Sequence, residues 1–160
     1  METLNKTWFI DIDGTFLKHN SNIGLDDLVK EEDSHLKEIP IPKSIKFLRD
    51  LPKDDKIIIT TARESQHRDH TVKALKHLGV RYDDILFDLT SGPRILINDI
   101  KPPGVVNNVE SIVTAYAVNL NRDEGISSDT QQIGCALKEE EQMENFAREL
   151  QKTDSGHQPC

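Results

Sequence analysis

The sequence predicts an α/β protein with a central parallel sheet and helices on both faces. Short runs rich in β-branched or aromatic residues alternate along the chain with segments in which apolar residues recur every three or four positions. This alternation is typical of βαβ units, whose right-handed crossovers join parallel strands. The length of 160 residues fits one ordinary domain, which can hold a core without disulfides or a structural metal.

The first predicted strand lies at residues 8–10. Its aromatic and β-branched run stops abruptly at Asp11, Asp13 and Gly14, which indicates a turn at the carboxyl end of the strand. The polar and acidic residues 17–40 that follow are predicted to form an excursion with at most one short helix.

A helix is predicted next, between Pro42 and Pro52. Ile45, Leu48 and Leu51 fall three apart and give this segment one apolar face. Pro42 is suited to the first helical turn, and Pro52 cannot continue the helix.

The continuous β-branched run at residues 56–61 predicts a strand that is buried on both faces. Arg63 leads into a second helix. This helix has Val72 and Leu75 on its inner face and is predicted to end at Gly79.

Three further strands are predicted at residues 85–87, 94–98 and 116–120. With them, the predicted core spans residues 1–122. The remainder is predicted as a polar linker at 123–136, a helix at 137–152 with apolar residues at helical spacing, and a disordered tail at 153–160.

Charge and hydropathy argue against two classes of partner. The formal net charge of −8 disfavours nucleic-acid binding by general phosphate neutralisation. The longest apolar runs are far shorter than the roughly 20 residues that a membrane span requires. The first residues show no export signal and two cysteines are too few for a disulfide framework, so we expect a cytoplasmic protein.

The residues most suited to chemistry stand where predicted strands end. They are Asp11 and Asp13 after the first strand, Thr60 and Thr61 at the end of the second, and Asn98 and Asp99 at the end of the fourth. Ligands of open α/β sheets bind at the carboxyl ends of the strands. Three carboxylates converging there would repel one another, and a Mg²⁺ ion with oxygen ligands is the common way to neutralise them. A metal-dependent site is therefore predicted.

Three motifs resemble those of the haloacid dehalogenase-like phosphatase superfamily. The string Asp-Ile-Asp-Gly-Thr at residues 11–15 resembles the first motif, and the apolar strand ending at Thr61 resembles the second. The apolar strand ending at Asn98 and Asp99 resembles the last. The motifs stand in the order of the family and cover residues 7–122, so the resemblance implies a Rossmann-like three-layer α/β/α fold.

The resemblance also implies a Mg²⁺-dependent phosphatase mechanism. Asp11 would be the nucleophile that forms an aspartyl-phosphate, and Asp13 would act first as general acid and then as general base. Mg²⁺ would be held by Asp11, Asp99 and the backbone carbonyl of Asp13. Asn98 stands where many relatives have a second Asp and would be a neutral oxygen ligand or a hydrogen-bond donor.

Phosphate binding is implied for residues at the ends of the first two strands. Thr61 is preferred over Thr60 as the hydroxyl donor, because Thr61, Ala62 and Arg63 resemble a Thr-Gly-Arg form of the second motif. Gly14 would lie in a turn whose backbone N–H groups face the phosphate. Arg63 would either contact the substrate anion or form a structural ion pair.

The third motif of the family, normally a lysine, has no match. The corresponding positions are Leu89 and Thr90, and neither is basic. Basic residues that could replace this lysine are Arg94 and Lys101, which flank the last motif, ahead of Lys73 and Lys76. Arg122, which follows the last predicted strand, would likewise either contact the substrate anion or form a structural ion pair.

Substrate access is predicted from the short insertions. Family members carry cap domains after the first or third motif, but residues 17–40 and 79–94 are too few for a domain. We therefore expect an open site for a small phosphorylated metabolite, a sugar phosphate or a nucleotide, that a second subunit of a homo-oligomer closes. A large phosphorylated partner is the other substrate class suited to an open site.

Three alternative interpretations stay open. One is a phosphatase of nucleic-acid ends, which the negative net charge disfavours. Another is a non-catalytic relative that binds phosphate or a protein, which the missing lysine favours. Finally, His67 and His70 are three apart on the second predicted helix and could form a metal pair, but no third ligand is at hand.

Overall fold

The structure, a computed structural model, describes residues 4–126 of the chain. Within this range the chain divides into two units, residues 4–92 with 119–126, and residues 93–118. The first unit contains β1 (Thr7–Asp11), α1 (Asn22–Leu28), α2 (Pro42–Asp50), β2 (Lys56–Thr60), α3 (Arg68–His77) and β3 (Asp84–Leu86). It also contains two 3₁₀ turns, Ser34–Lys37 and Ser65–His67.

The strands form one parallel sheet in the order β1-β2-β3. The pairing of β1 with β2 ends with Asp11 opposite Thr60. Ile57 and Ile59 of β2 are fully buried, as expected for the central strand of a parallel sheet. The predicted α/β class is confirmed, with a small sheet of three strands.

The helix boundaries follow local signals in the sequence. α1 begins after Ser21, whose Oγ accepts a hydrogen bond from the backbone N–H of Gly24 at 3.1 Å. α2 begins at Pro42, where the missing N–H costs no helical hydrogen bond. α3 ends just before Gly79, which has a left-handed φ of +64°. Within residues 4–126 the longest helix has 10 residues, and none has the length and apolar character needed to cross a membrane.

The excursion at residues 17–40 is closed at its base. Leu17 forms an antiparallel backbone bridge with Pro40, and the backbone N–H of Lys18 donates to Ile39 O at 2.8 Å. The side chains of Leu17 and Leu25 are completely buried. The excursion, which holds α1 and one 3₁₀ turn, is therefore part of the first unit's core rather than an independent cap.

The unit at residues 93–118 contains neither a helix nor a strand among its described residues. The strand predicted at 94–98 is not formed, and Ile95 and Ile97 are 85% and 91% exposed. The strand predicted at 116–120 is not formed either. An apolar run has the composition of a strand, but a strand also needs a neighbour to take its backbone hydrogen bonds, and composition does not specify that neighbour.

The residues after 126 lie outside the described part of the chain. The predicted helix at 137–152, the predicted tail at 153–160 and most of the predicted linker at 123–136 therefore stay predictions. The first four linker residues are described, and they belong to the first unit. Ile126 is buried, and its N–H donates to Ser44 Oγ at 2.6 Å.

Candidate functional site

The candidate site lies at the carboxyl ends of β1 and β2. Asp11 is the last residue of β1, and it stands opposite Thr60, the last residue of β2. Register partners in a parallel sheet project to the same face, so the Asp11 carboxylate and the Thr60 hydroxyl share one face of the sheet. The structure therefore brings together the first two sequence motifs as predicted from strand ends.

Residues 12–17, which we call the Asp13 turn, follow β1 and form a tightly bonded loop. The carbonyl oxygen of Ile12 accepts N–H groups from Thr15, Phe16 and Leu17 at 3.1–3.2 Å. Gly14 occupies the left-handed region with a φ of +85°, a conformation that costs little only for glycine. The completely buried side chains of Ile12, Phe16 and Leu17 anchor the turn in the core.

Gly14 itself has both backbone groups occupied in this turn. Its N–H donates to Leu17 O at 2.8 Å, and its carbonyl accepts the N–H of Asp123 at 2.8 Å. The backbone donor predicted to face a phosphate at Gly14 is thus used within the protein.

Asp13 is held by Arg63 through two parallel hydrogen bonds. The Nε of Arg63 donates to Asp13 Oδ2 at 2.9 Å, and Nη2 donates to Asp13 Oδ1 at 2.7 Å. This fork geometry fixes the plane of the carboxylate as well as its position. The Asp13 side chain keeps 14% of its surface exposed, whereas Arg63 keeps 1%.

Arg63 uses its remaining N–H groups inside the protein. Nη1 donates to Glu38 Oε1 at 2.6 Å and to Thr71 Oγ1 at 3.2 Å, and Nη2 donates to Glu38 Oε2 at 3.3 Å. With the two bonds to Asp13, all five guanidinium donors are engaged. The structure therefore realises the ion-pair alternative for Arg63, and no donor is left for a substrate anion.

The network extends from Glu38 to His70. His70 Nε2 lies 3.0 Å from Glu38 Oε1, and His70 Nδ1 lies 3.1 Å from Ser34 Oγ. We call Asp13, Glu38, Arg63 and His70 the buried cluster. No sequence motif predicted Glu38, because it stands 25 positions before Arg63 and no local pattern links residues so far apart in the chain.

The charges of the buried cluster support one another. Burial acts to raise the pKa of Glu38, but hydrogen bonds with His70 and Arg63 and the charge of Arg63 outweigh it and hold this pKa below its ordinary value. Burial acts to lower the pKa of Arg63, and the hydrogen bonds and charges of Asp13 and Glu38 outweigh it and raise this pKa. Arg63 and Glu38 are therefore both ionised at neutral pH.

The two threonines at the end of β2 have different surroundings. Thr60 is 8% exposed and Thr61 is fully buried. The Oγ1 of Thr61 accepts the backbone N–H of Arg63 at 3.0 Å, which leaves the hydroxyl proton of Thr61 available for donation. Thr60 is the register partner of Asp11. Thr60 and Thr61 therefore both stay candidates for the phosphate contact.

Residues 121–126, which we call the outer segment, pack against the Asp13 turn. Beside the bond from Asp123 N to Gly14 O, the Asp123 carboxylate accepts the N–H of His19 at 2.6 Å. Lys18 Nζ donates to the carbonyl of Asp123 at 3.0 Å. The sequence contains no signal for this contact, since more than 100 residues separate Lys18 from Asp123.

The other predicted site residues lie in the unit at residues 93–118. They are Arg94, Asn98, Asp99 and Lys101. Asn98 and Asp99 are exposed, Asn98 Oδ1 accepts the backbone N–H of Asp99 at 3.1 Å, and Thr114 Oγ1 donates to Asp99 O. Lys101 pairs through its backbone with Ile112.

At the carboxyl end of β1, two groups are oxygen ligands of the kind that Mg²⁺ takes. Asp11 offers its carboxylate, and the carbonyl of Asp13 accepts no hydrogen bond from another described residue. Both are hard ligands of the type that Mg²⁺ takes alongside waters, so they fit that ion in kind. Both oxygens of the Asp13 carboxylate are engaged by Arg63. Within residues 4–126 no group of three or more His, Cys, Asp or Glu side chains is arranged for a metal.

The two histidines considered as a metal pair face different carboxylates. His67 Nε2 lies 2.8 Å from Asp26 Oδ1, whereas His70 contacts Glu38. The buried Nδ1 of His67 has no hydrogen-bond partner among the described residues. The structure thus gives each histidine its own acidic neighbour rather than a shared ligand position.

Comparisons with known proteins give no family assignment for the chain. A scan against protein-family models, a search of curated proteins and a search of solved structures each find no match. The residues and contacts of the chain itself are therefore the basis for assigning its function.

Proposed function

We propose that this protein is a Mg²⁺-dependent phosphomonoester hydrolase that forms an aspartyl-phosphate on Asp11. The observation that carries the proposal is the placement of Asp11 at the end of β1, opposite Thr60 and directly before the tightly bonded Asp13 turn. The proposed fold is the three-layer, capless fold of the haloacid dehalogenase-like phosphatases. The proposed substrate is a small cytoplasmic phosphorylated metabolite, a sugar phosphate or a nucleotide.

The reaction begins at Asp11. A carboxylate oxygen of Asp11 attacks phosphorus, the bond from phosphorus to the ester oxygen breaks, and the leaving oxygen takes a proton from the carboxyl group of Asp13. In the second half, Asp13 accepts a proton from water as the water attacks phosphorus. The bond between phosphorus and Asp11 then breaks, and inorganic phosphate leaves.

Arg63 is a positioning residue in this mechanism. Its two hydrogen bonds hold the Asp13 carboxylate in one orientation, while the 14% of the Asp13 side chain that stays exposed keeps it open to a substrate or a water. General acid–base catalysis depends on such alignment, because a proton is transferred only over hydrogen-bond distance.

Mg²⁺, when bound, offsets the repulsion between the Asp11 carboxylate and the negative phosphate. The Asp11 carboxylate and the Asp13 carbonyl would hold it, and the metal roles expected for Asp99 and Asn98 stay predictions. Thr61 or Thr60 would donate a hydroxyl proton to a phosphate oxygen, a contact that gains strength as charge develops there. The anion-binding roles expected for Arg94 and Lys101 stay predictions.

Turnover of a generic substrate tests the proposal. The full chain with Mg²⁺ and p-nitrophenyl phosphate should release p-nitrophenol, and Asp11→Asn should abolish the release because an amide cannot act as the nucleophile. Asp27→Asn is the matched control, since Asp27 is an exposed carboxylate on α1. Activity in Asp11→Asn equal to wild type, or no turnover across a broad panel of phosphate esters, would contradict the proposal.

A non-catalytic phosphate-binding or protein-binding module is the second candidate. It is favoured by the complete engagement of both Asp13 carboxylate oxygens and all Arg63 donors inside the protein. This arrangement stabilises the fold whether or not a reaction occurs. Binding of inorganic phosphate without turnover of any ester would favour this module over the hydrolase.

A further inference from the structure

We propose that Arg122 binds the phosphate group of the substrate. It would take the role of the third-motif lysine, which has no match in this sequence. This inference rests on the proposed hydrolase function. The proposed site needs a cation for a phosphate dianion, and Arg63, the nearest arginine in sequence to the threonines, has no donor left. The ligand chemistry is a phosphomonoester with two negative charges.

Arg122 lies directly against the Asp13 turn. A Cβ atom added to Gly14 would stand 3.0 Å from Arg122 Cγ and 3.8 Å from its Cα. The aliphatic part of Arg122 therefore packs over the one position of the turn that has no side chain. Because Gly14 is three residues after Asp11, this packing places the stem of Arg122 close in the chain to the proposed nucleophile.

The backbone of Arg122 is fixed on both sides. Asp123 bonds to Gly14 and His19, and Glu124 N donates to Asn121 O at 3.2 Å. Further along, Ile126 N donates to Ser44 Oγ, and that hydroxyl donates to Thr15 O at 2.7 Å. The outer segment is thus tied to the Asp13 turn at several points, so the backbone of Arg122 loses little conformational freedom on binding.

The guanidinium of Arg122 is available, unlike that of Arg63. Arg122 is exposed, and within the described part of the chain it forms no hydrogen bond or ion pair. Its planar fork can engage two phosphate oxygens at once, which a lysine cannot do. An arginine that is positioned by its backbone, packed by its stem and left with free donors is suited to binding an anion.

The test measures phosphate affinity in the full chain with Arg122→Gln, Arg122→Lys and a matched control. Arg49→Gln removes the same charge from an exposed arginine of α2 outside the site. With p-nitrophenyl phosphate and Mg²⁺, we expect Arg122→Gln to raise KM and the inhibition constant of inorganic phosphate about tenfold. Arg122→Lys should recover part of the loss, and Arg49→Gln should change neither constant.

Wild-type constants in a folded Arg122→Gln variant would overturn the inference and leave the proposed hydrolase function standing. Folding is checked by the fluorescence of Trp8, the single tryptophan. Were the wild-type chain to hydrolyse no ester, the hydrolase proposal would fail by itself. Titration of wild type and Arg122→Gln with inorganic phosphate would then decide on Arg122, since weaker binding by the variant supports its role and equal or absent binding overturns it.

Discussion

The Asp13 turn is held on its two sides by different forces. On the inner side, the buried cluster holds the Asp13 carboxylate with charged groups that are almost fully excluded from water. On the outer side, residues 121–126 hold the backbone of the turn with neutral and charge-assisted hydrogen bonds near the surface. An arginine stands on each side, and only the outer one keeps its donors. The inner side is therefore suited to positioning and the outer side to binding.

Replacing Arg63 should remove the ion pairs of the buried cluster and give the largest effect on stability. Arg63→Met leaves Glu38 and Asp13 without their cation, and we expect a loss of about 3–5 kcal/mol in the free energy of unfolding, since one partner of a buried ion pair is removed. Urea denaturation followed by Trp8 fluorescence measures this loss. The control is Lys46→Met, which breaks an exposed pair with Asp50 and should cost under about 1 kcal/mol.

Equal losses in Arg63→Met and Lys46→Met would show that the buried cluster does not stabilise the turn through its charges. A large loss in Arg63→Met with unchanged turnover per folded molecule would separate stability from positioning. In that case Asp13 would not need Arg63 for its proposed role.

A side chain at Gly125 should disrupt the packing of the outer segment. A Cβ at Gly125 would lie 2.5 Å from Ile41 Cγ2 and 2.6 Å from Ser44 Oγ, at a φ of +82°. Gly104→Ala is the matched control, because Gly104 has a φ of +84° and open space around the added Cβ. Both variants place an alanine at a positive φ and incur similar backbone strain. We therefore expect the free energy of unfolding to fall by about 1–3 kcal/mol more in Gly125→Ala than in Gly104→Ala, from overpacking alone. Equal losses would contradict the packing of the outer segment on α2.

The charge of Glu38 makes the stability of the inner side depend on pH in the acid range. Because the folded pKa of Glu38 lies below its ordinary value, its stabilising contribution is complete above the unfolded pKa and is lost as pH falls through the folded pKa. We expect Glu38→Gln to be less stable than wild type by about 1 kcal/mol at neutral pH. This difference should shrink below about pH 4.3.

Denaturation curves of wild type and Glu38→Gln between neutral pH and pH 3 measure this difference. Carboxylates outside the buried cluster titrate in both proteins and cancel from this difference. A difference that stays constant into acid, or that grows there, would contradict the direction assigned to the pKa of Glu38.

Local sequence signals predicted each of the three strands of the first unit to within one residue of its observed ends. The abrupt stop after residues 8–10 and the β-branched run at 56–61 predicted that Asp11, Thr60 and Thr61 lie at one edge of the sheet, and the structure pairs Asp11 with Thr60. Pro42 and Gly79 marked helix ends. These signals are readable because each depends on residues that are close together in the chain.

Contacts between distant residues could not be predicted in the same way. Two such contacts are the ion pair of Arg63 with Glu38 and the packing of Arg122 on Gly14. Both depend on how segments that are distant in the chain are placed beside one another by the fold. The run at residues 94–98 shows the opposite error, because its apolar composition suggested a strand where the structure has none. Composition favours a strand, but only a partner strand completes its backbone hydrogen bonds.

The covalent intermediate gives the most direct test of Asp11 as the nucleophile. The full chain is mixed with Mg²⁺ and p-nitrophenyl phosphate and quenched in acid, and its peptides are examined by mass spectrometry. The proposed mechanism predicts a phosphoryl group on Asp11, with greater occupancy in Asp13→Asn because hydrolysis of the intermediate then lacks its base. Release of phosphate with no phosphoryl group on Asp11 in either protein would contradict it.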